Sequence, residues 1–507
     1  MRQRTGKAVL IAILLFLAPK AASAACHVVT PAGSGAKSGA DWNNAYAGLP
    51  GTLTNGDTYY LADGSYGHYN LVVSSGSART YVKKATAADN CTATGWNVST
   101  MGSSQAVFTG IVFTTTGNSN NVTFDGNGVS KQPGCGASPA TAAFVPASDC
   151  GFKVDDSGCT GGADACDGPI SLSVYQGSPV IGAVFRYMEW YGNGSNNTGN
   201  NREQNFVNAP QTNGAATFTF QHIYSHDIGC VVWQDYSSPT YVIEYNYFWG
   251  NWSNPNQCHG QLTYDYGSQN SMFRYNIVRD IEGTAVFTFD DGAHPNNWYA
   301  YGNLFYYSSG GSVHGQTGNG DAIIACQNPG SVCTNMYFYD NTVVNWNYTT
   351  GIMADNGGGS YIWEDNLIYQ ATQNPGGGTG NPGGITFNMN GSSLTEDYNT
   401  AIYSGGGLSG PHDVTVNSQT PVPFVNWTAN SNETVNFALT GENVDWNAGL
   451  ALSIVLPTGC TSGTNCFNVD PMGTLRGADG AWDRGAFQLG SGTPLVPPAT
   501  LAITGVQ

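Results

Sequence analysis

The most regular feature of the chain is a recurring segment in which apolar and polar residues alternate before an Asn. Five copies are clear: Tyr-Val-Ile-Glu-Tyr-Asn246, Met-Phe-Arg-Tyr-Asn276, Trp-Tyr-Ala-Tyr-Gly-Asn303, Met-Tyr-Phe-Tyr-Asp-Asn341 and Tyr-Ile-Trp-Glu-Asp-Asn366. The alternation and the abundance of Tyr, Phe, Val and Ile are typical of β-strands. Successive Asn residues are 30, 27, 38 and 25 positions apart, so the pattern indicates a repeat protein.

The fixed position of Asn within each copy distinguishes between repeat architectures. If the copies stack in parallel, each Asn side chain can bond to the amide of the next coil and to backbone at a sharp bend. A sandwich or a barrel does not require Asn at one phase, and a propeller requires regular blades of about 40–45 residues. The sequence therefore predicts an all-β, right-handed parallel β-helix, or solenoid.

The first residues have the pattern of an export signal. Arg2, Arg4 and Lys7 precede an apolar run at 8–18, and Ala22-Ser23-Ala24 supplies a small-residue cleavage site. We expect cleavage near Ala24 and a secreted protein, extracellular or at the periplasm or cell surface. No other segment is apolar and long enough to predict a membrane span.

Charge limits the class of partner. Cleavage leaves 12 Lys and Arg against 34 Asp and Glu, a formal charge of −22. Because phosphate binding needs Lys and Arg, we expect no nucleic-acid partner. A neutral or cationic ligand suits this charge better than a polyanion, unless a local basic site or a metal offsets the field.

The cysteine content indicates disulfide bonds. All 12 cysteines follow the signal, and an even number in an exported chain favours pairing. Cys326 with Cys333 and Cys460 with Cys466 are close enough in sequence to staple loops. The segment 130–170 is rich in Gly, Ala and Cys and predicts a disulfide-tied loop. Further plausible partners are Cys150, Cys159, Cys166, Cys230 and Cys258.

Both ends of the chain resemble one group of proteins. Val-Val-Thr-Pro-Ala-Gly-Ser-Gly through Asp41-Trp42, then Gly56-Asp57 and Asp63-Gly64-Ser-Tyr66, looks like the opening of secreted bacterial β-helix proteins of the pectate-lyase-like superfamily. Asp483-Arg-Gly-Ala-Phe487 is similar to the C-terminal end of the proteins in that superfamily. The resemblance implies a signal peptide at 1–24, an N-terminal cap and first coil at 25–75, and a β-helix at 76–490. A flexible, Pro-containing tail follows at 491–507. We expect a monomer.

A second regularity concerns aspartates. Asp235, Asp265 and Asp355 each lie eleven residues before a repeated Asn, while Asp291, beside Asp290, lies twelve before the next. Coils about 4.8 Å apart would stack these carboxyl groups into a column. Repulsion would raise at least one pKa and supply a general acid, as in paired-carboxylate glycosidases. The sequence thus predicts hydrolysis of an extracellular polysaccharide, with Asp265, Asp290 and Asp291 as acid and base.

The same residues have structural alternatives. Asp at a strand end can cap a turn, and stacked Asp can hold Ca²⁺, although the hydrolytic mechanism requires no cofactor. We therefore leave the metal site undetermined. The predicted sugar-binding residues, drawn from the same part of the chain, are Asp235, Trp233, His259, Trp298 and Arg279.

A resemblance to polygalacturonase-type hydrolases concerns the order of motifs. Asp265, the pair Asp290-Asp291, and His314-Gly315 follow one another as the Asp, Asp-Asp and His-Gly of that family do. The resemblance implies that His314 also belongs to the catalytic set. The Arg-x-Lys of that family is missing, since no Arg or Lys occurs between Arg279 and Arg476. This departure puts acidic substrates in doubt.

Two other functions fit the sequence. A polysaccharide lyase needs a basic residue, or a Tyr/His pair, to remove a proton beside a carboxylate. Arg279 with Asp280 follows one strand, and His226 with Asp227 falls at about the same phase two coils earlier. Arg279 and His226 are therefore the lyase candidates. The third function is a surface adhesin or carbohydrate-binding protein without catalysis, which would tolerate loss of the aspartates.

Overall fold

A computed structural model describes the solenoid and its two ends. The described residues are 24–113, 121–129, 133–136, 149–158, 168–172, 182–192, 205–209, 217–229, 231–236, 238–251, 260–281, 285–289, 292–307, 312–313, 316–317, 322–326, 330–346, 352–355, 357–371, 385–404, 407–418, 420, 422–427, 435–441, 443, 446–452, 469–477 and 480–489. Residues 1–23 of the predicted signal peptide and the whole predicted tail lie outside these ranges. Among the described residues, none belongs to a helix with the length and apolar character of a membrane span.

The described elements are short strands with very little helix. The helices are α1 Val98–Met101, α2 Pro133–Gly136 and a 3-10 turn at Trp42–Asn44. The strands are β1 Cys26–Thr30, β2 Tyr46–Ala47, β3 Thr58–Leu61, β4 Gly64–Leu71, β5 Thr80–Lys84, β6 Ala106–Phe113, β7 Val122–Asp125, β8 Phe152–Asp155, β9 Ile170–Ser171, β10 Ala183–Tyr191, β11 Asn205–Ala209, β12 Thr217–His226, β13 Val231–Asp235, β14 Thr240–Glu244, β15 Tyr247–Trp249, β16 Thr263–Asp265, β17 Gln269–Arg274, β18 Ile277–Arg279, β19 Ala285–Phe289, β20 Asn296–Tyr301, β21 Leu304–Tyr306, β22 Ser312–Val313, β23 Gln316–Thr317, β24 Ala322–Cys326, β25 Thr334–Tyr339, β26 Thr342–Val344, β27 Met353–Asp355, β28 Ser360–Glu364, β29 Leu367–Tyr369, β30 Phe387–Met389, β31 Ser393–Asp397, β32 Thr400–Ile402, β33 Val414–Val416, β34 Phe424–Asn426 and β35 Asn436–Leu439.

Parallel pairing joins 31 of these strands into one continuous sheet that winds around three faces. Sheet 1 contains β1, β3, β5, β7, the first half of β10 and β12, then β14, β17, β20, β25, β28 and β31. Sheet 2 contains β4, β6, β8, the second half of β10 and β12, then β15, β18, β21, β26, β29, β32 and β33. Sheet 3 contains the end of β6, then β9, β11, β13, β16, β19, β24, β27 and β30. The predicted parallel β-helix is confirmed.

The Asn ladder lies at the bend between sheets 1 and 2. The Nδ2 of Asn246 donates to Oδ1 of Asn276 at 3.0 Å, and that of Asn276 donates to Asn303 at 3.2 Å. The same bond continues through Asn341, Asn366 and Asn399. Each Oδ1 also accepts from the backbone N–H of the preceding ladder Asn, as in Asn276 at 2.9 Å to Asn246. Because every amide is buried, these bonds satisfy polar groups that water cannot reach.

A second Asn ladder precedes the first by six residues. Asn297 donates to Oδ1 of Asn270 at 3.0 Å, and Asn335 donates to Asn297 at 3.2 Å. All three have positive φ, between 52° and 57°, a conformation that Asn tolerates better than most residues. They turn the chain into sheet 1 in three successive coils.

Stacked apolar side chains fill the interior of the solenoid. In sheet 1 the inward column is fully buried and consists of Phe185, Phe220, Ile243, Phe273, Ala300, Phe338 and Trp363. A separate apolar cluster covers the outer face of sheet 2, where Tyr306 and Tyr369 contact Phe437 and Phe424 of the C-terminal hairpin. The β-helix is therefore packed on both sides of this sheet.

Three disulfide bonds lie within the described residues. The predicted Cys326–Cys333 bond is confirmed. Cys150, for which later cysteines were also plausible partners, pairs with Cys135 and ties the predicted loop. Cys26–Cys91 closes the N-terminal cap, a pairing the sequence analysis did not anticipate. The other predicted partners, Cys159, Cys166, Cys230, Cys258, Cys460 and Cys466, lie outside the described residues.

Candidate functional site

The predicted aspartate column lies at the end of the strands of sheet 3. Asp235 is the register partner of Asp265, and Asp265 is that of Phe289 in the next coil. Because side chains alternate along a strand, Asp265 shares a side with Thr263, which stacks between the core residues Trp233 and Phe287. The aspartates therefore point to the interior side of the sheet. Asp290 and Asp291 lie outside the described residues.

Asp265 acts as a turn cap. It is 2% exposed, and its Oδ1 accepts from the N–H groups of Gly267 at 2.7 Å and Ser268 at 2.8 Å. Its Oδ2 accepts from the Ser268 hydroxyl. Burial raises the pKa of the Asp265 carboxyl, and these donors only partly oppose it. The raised pKa expected from like charges is thus present, but burial is its cause.

The neighbouring aspartates are similarly enclosed. Asp355 is buried and accepts from the N–H of Gly357 and the hydroxyl of Tyr361. Asp235 is fully buried, and Tyr241 hydrogen-bonds to it. These three, Asp235, Asp265 and Asp355, are called the interior aspartates below. Their positions suit turn structure better than contact with a sugar.

The predicted sugar-binding tryptophans belong to the core. Trp233 and Trp298 are each 1% exposed. The Trp298 ring lies 4.5 Å from that of Phe287, and the Trp233 ring lies 5.8 Å from that of Phe248. A sugar cannot stack on either ring without opening the solenoid. His259 and His314 lie outside the described residues.

The two lyase candidates do lie in one column, on the outer face of sheet 2. Tyr191, His226, Trp249, Arg279 and Tyr306 are successive register partners. The alternate positions Phe248 and Phe305 face the core, so this column faces outward. His226 and Arg279 are therefore two coils apart, with the Trp249 ring between them.

His226 is held between two carboxylates. Its Nδ1 lies 2.7 Å from Oδ2 of Asp227, and its Nε2 lies 3.2 Å from Oε1 of Glu189. Both contacts are hydrogen bonds only when both ring nitrogens carry protons. Burial alone would lower the pKa of His226, but the two carboxylates outweigh it and raise the pKa. The ring also stacks on Tyr191, at 4.7 Å, and on Tyr224, at 4.3 Å.

Glu189 connects His226 to Lys153, which lies in the coil before that of Glu189. Lys153 Nζ lies 3.2 Å from Glu189 and 3.0 Å from Asp155. Burial would raise the pKa of Glu189, but His226, Gln105 and Lys153 together lower it to about 2. Glu189 is therefore ionised at neutral pH. Lys153 also lies 4.2 Å above the centre of the Tyr191 ring.

Arg279 occupies the other end of the column. Its Nε donates to Oδ2 of Asp280 at 2.9 Å, and its Nη1 donates to the Tyr247 hydroxyl at 3.2 Å. Trp249 in one neighbouring coil and Tyr306 in the other lie 5.6 and 5.7 Å from the guanidinium carbon. The guanidinium is thus packed between two rings and stays positively charged.

The outer-face charge cluster, defined as Lys153, Asp155, Glu189, His226 and Asp227, was largely missed from the sequence. Its coils precede Asn246, the first clear ladder Asn, so the ladder did not align them. The sequence signal that could have found the cluster is the alternation of apolar and polar residues in these strands. Lys153 and Asp155 occupy the outward positions of β8, and Glu189 and Tyr191 occupy those of β10. Chemically, the cluster combines an imidazole of raised pKa, carboxylates and a lysine, and the phenol of Tyr191 stacks on the imidazole.

No group of three or more His, Cys, Asp or Glu suited to a metal ion occurs in the part of the chain that the structure describes. The predicted Ca²⁺ alternative concerned the whole aspartate column, of which Asp290 and Asp291 lie outside that part. The metal question therefore stays a prediction.

The fold and this site define a parallel β-helix protein with an ionisable outer-face cluster. No protein-family model matches the chain, and no curated protein matches it. Among solved structures it is similar to pectate lyase Pel9A, with 13% identity, a TM-score of 0.39, and coverage of 92% of this chain and 97% of that chain. It is also similar to the PL6 family alginate lyase AlyGC, with 10% identity and a TM-score of 0.35. That match covers 72% of this chain and 53% of the other.

Proposed function

We propose that this chain is a secreted protein that acts on an extracellular polysaccharide and cleaves it by β-elimination at the outer face of sheet 2. The observation that carries the proposal is the placement of His226: it lies on the outer face between two carboxylates that raise its pKa, and it stacks on Tyr191 beside Lys153. The disulfide bonds are consistent with the predicted export.

The elimination assigns one proton transfer to each of two rings. Tyr191, as phenolate, takes the proton on the carbon beside the uronate carboxylate, and the electron pair forms a carbon–carbon double bond. The bond to the glycosidic oxygen breaks, and His226 gives that oxygen a proton. Transfer of a proton from Tyr191 to His226 through water restores the starting state. No water is consumed, and no redox partner is needed.

The cations on the outer face of sheet 2 suit a uronate carboxylate. Lys153 lies two coils from His226 on one side, and Arg279 lies two coils away on the other. Each cation already contacts a carboxylate of the protein: Asp155 and Glu189 hold Lys153, and Asp280 holds Arg279. Uronate binding therefore requires an exchange of ion-pair partners, and added salt should weaken it.

Hydrolysis remains the competing prediction from the sequence. Of its proposed residues, Asp265 caps a buried turn, while Asp290, Asp291 and His314 are not among the described residues. The lyase alternative is favoured because His226 and Arg279 share an outward column. The prediction that no cofactor is required, with Ca²⁺ as the alternative, is tested by EDTA in the assay below. The monomeric state is a separate prediction that light scattering can test.

The test measures reducing ends and unsaturated-sugar absorbance together, on acidic and neutral polysaccharides, with and without EDTA. Wild type is compared with His226→Gln and with the matched control His412→Gln. His412 also pairs with an aspartate, Asp397 at 2.8 Å, but its side chain is 54% exposed at a distant surface. We expect absorbing products from an acidic polysaccharide, a loss of at least about 100-fold in His226→Gln, and little change in the control.

Two results would overturn the proposal. Reducing ends without absorbance, lost in Asp290→Asn/Asp291→Asn but kept in His226→Gln, would establish the hydrolase. Binding of polysaccharide without any product, unaffected by either set of changes, would establish a carbohydrate-binding protein.

A further inference from the structure

The C-terminal segment closes over the bend between sheets 1 and 2. We call its described residues, 446–452, 469–477 and 480–489, the C-terminal clasp. The hydroxyl of Tyr275 donates to the carbonyl of Val469 at 3.0 Å, and Ala486 N–H donates to Oγ1 of Thr342 at 2.8 Å. The clasp thus spans several coils, and its attachment depends on side chains that project from the bend.

The bend changes character where the clasp docks. The residue before each ladder Asn has positive φ, and in successive coils it is Tyr245, Tyr275, Gly302, Asp340, Asp365 and Tyr398. Asp340 and Asp365 are therefore neighbours one coil apart, about 4.8 Å along the solenoid axis. Two buried carboxyl groups replace the aromatic rings at this point.

Both carboxyl groups face the clasp. Asp340 Oδ1 lies 3.2 Å from Arg476 Nη1, and both side chains are 1% exposed. Asp365 Oδ1 accepts from the N–H of Leu450 at 2.8 Å, while its backbone carbonyl accepts from Gly485. Within the described residues, Oδ2 of Asp365 and both carboxyl oxygens of Asp340 accept no hydrogen bond. Two ionised carboxylates would therefore be poorly stabilised here.

The clasp supplies too little positive charge for two ionised carboxylates. Arg476 also donates to the carbonyls of Asp483 and Ala486, and Arg484 is bound by backbone carbonyls of Asn399, His412 and Ala448. The other ionisable groups near the pair or these arginines are Tyr275, Tyr301, Tyr339, Glu364, Asp397, Tyr398, Asp413, Asp470 and Asp483.

We propose that Asp340 and Asp365 form an acid-stabilised lock, which holds the C-terminal clasp while at least one of the two carboxyl groups is protonated. A proton on Asp365 lets Arg476 neutralise Asp340 alone. Loss of that proton places two negative charges in adjacent coils. Arg476 is the ion-pair partner of Asp340 alone and Arg484 is held by backbone carbonyls, so the second charge is poorly neutralised and the clasp loosens. The lock is independent of the outer-face cluster and of the reaction proposed for it.

The direction of the pH dependence follows from linkage. Burial, opposed only in part by Arg476, raises the pKa of Asp340 to about 7. Burial and the charge of Asp340 raise the pKa of Asp365 to about 9. Released aspartates titrate near 3.8, so the docked clasp binds more protons than the released one between these values. Docking therefore weakens progressively above about pH 4 and is weakest above about pH 9.

The test is hydrogen exchange of the full chain at pH 5, 7 and 9, corrected for the intrinsic pH dependence of exchange. Amides of 469–489 report the clasp, and amides of β3, Thr58–Leu61, report global folding. We expect clasp protection to fall at least about tenfold between pH 5 and pH 9 while β3 is unchanged. Asp365→Asn, which mimics the protonated state, should keep the clasp protected at pH 9. Asp89→Asn in the N-terminal cap is the control and should behave as wild type.

Three outcomes would refute the lock. They are equal clasp protection at pH 5 and pH 9 in the wild type, an equal fall in Asp365→Asn, or an open clasp in Asp365→Asn at pH 5. None of these measurements depends on a polysaccharide, so the result is separate from that of the cleavage assay.

Discussion

The interior aspartates and the outer-face charge cluster are built from similar residues by the same stacking, yet they differ in the side of the sheet that they face. Asp235 and Asp265 stack at the end of sheet 3 on the side of the core. Glu189 and His226 stack on sheet 2 on the side away from it. Stacking alone therefore brings ionisable groups together without making a site. The parity of each position within its strand decides whether the group faces the core or the outer side of the sheet.

The carboxyl groups of the two regions also differ in the direction of their pKa shifts. Asp265 is surrounded by neutral donors, and burial raises the pKa of its carboxyl. Glu189 is nearly as enclosed, but His226 and Lys153 lower the pKa of its carboxyl to about 2. At Glu189 the hydrogen bonds and charges of its neighbours thus outweigh desolvation, whereas at Asp265 the backbone N–H groups and the Ser268 hydroxyl do not. A raised carboxylate pKa is, for this reason, a poor marker of catalysis in this fold.

The largest expected difference in unfolding free energy is between a tryptophan of the solenoid core and one on the outer face of sheet 2. Trp298→Ala should lower the free energy of unfolding by about 3–5 kcal/mol, because it empties a core position between Phe287 and Phe273. Trp249→Ala on the outer face should cost about 1 kcal/mol, since the ring is half-buried and contributes chiefly a cation–π contact with Arg279. Urea unfolding measures both.

Polysaccharide binding separates the same two variants. Trp249→Ala should weaken binding, whereas Trp298→Ala should leave the affinity of the folded fraction unchanged. The reverse pattern, with Trp298 needed for affinity and dispensable for stability, would mean that the interior of the solenoid opens to substrate.

The fold was predictable because a single residue type recurs at one phase. The repeated Asn residues from Asn246 to Asn366 mark the bend between sheets 1 and 2 in the sequence, and the structure extends that ladder to Asn399. The second ladder, Asn270, Asn297 and Asn335, was equally visible in sequence, with the same 27- and 38-residue intervals. It was overlooked because neighbouring Asn and Gln residues obscure the pattern.

The site was predictable only in part. The phase relation between His226 and Arg279 followed from counting back from the ladder, and the registers agree with it. The direction of the Asp265 side chain did not follow from that count. Asp265 is the last residue of β16 and lies two positions after Thr263, which faces the core, so Asp265 faces the core as well. Glu189 belongs to a coil where Tyr187 occupies the bend, so no Asn marks its phase, and Lys153 is its register partner in the coil before.

A smaller effect is expected from the interior aspartates. Asp265→Ala removes the acceptor for the N–H groups of Gly267 and Ser268, and leaving them buried and unpaired should cost about 2–3 kcal/mol of unfolding free energy. Asp265→Asn keeps a carbonyl acceptor and should cost about 1 kcal/mol or less. Thermal unfolding compares the two variants, and turnover per folded molecule should stay at the wild-type level in both. An inactive but stable Asp265→Asn protein would instead make Asp265 a catalytic acid.

A change in stability of about 1 kcal/mol is also expected from Glu189→Gln in the outer-face cluster. The pKa of His226 is raised and that of Glu189 is lowered, so their mutual stabilisation is fully present between the two ordinary values, near 4.5 and 6.5. It is lost as the pH falls through about 2, and also as it rises through the raised pKa of His226.

Removing the charge of Glu189 lowers the pKa of His226, because Asp227 alone then stabilises the imidazolium. If protonated His226 is the acid, wild-type turnover declines above its raised pKa, and in Glu189→Gln that decline should begin at lower pH. Gln105→Ala, which removes a neutral neighbour of Glu189, is the matched control and should leave the alkaline limb in place. A pH–rate profile for each protein decides the matter, since an alkaline limb that does not move in Glu189→Gln would show that His226 carries no proton in the reaction.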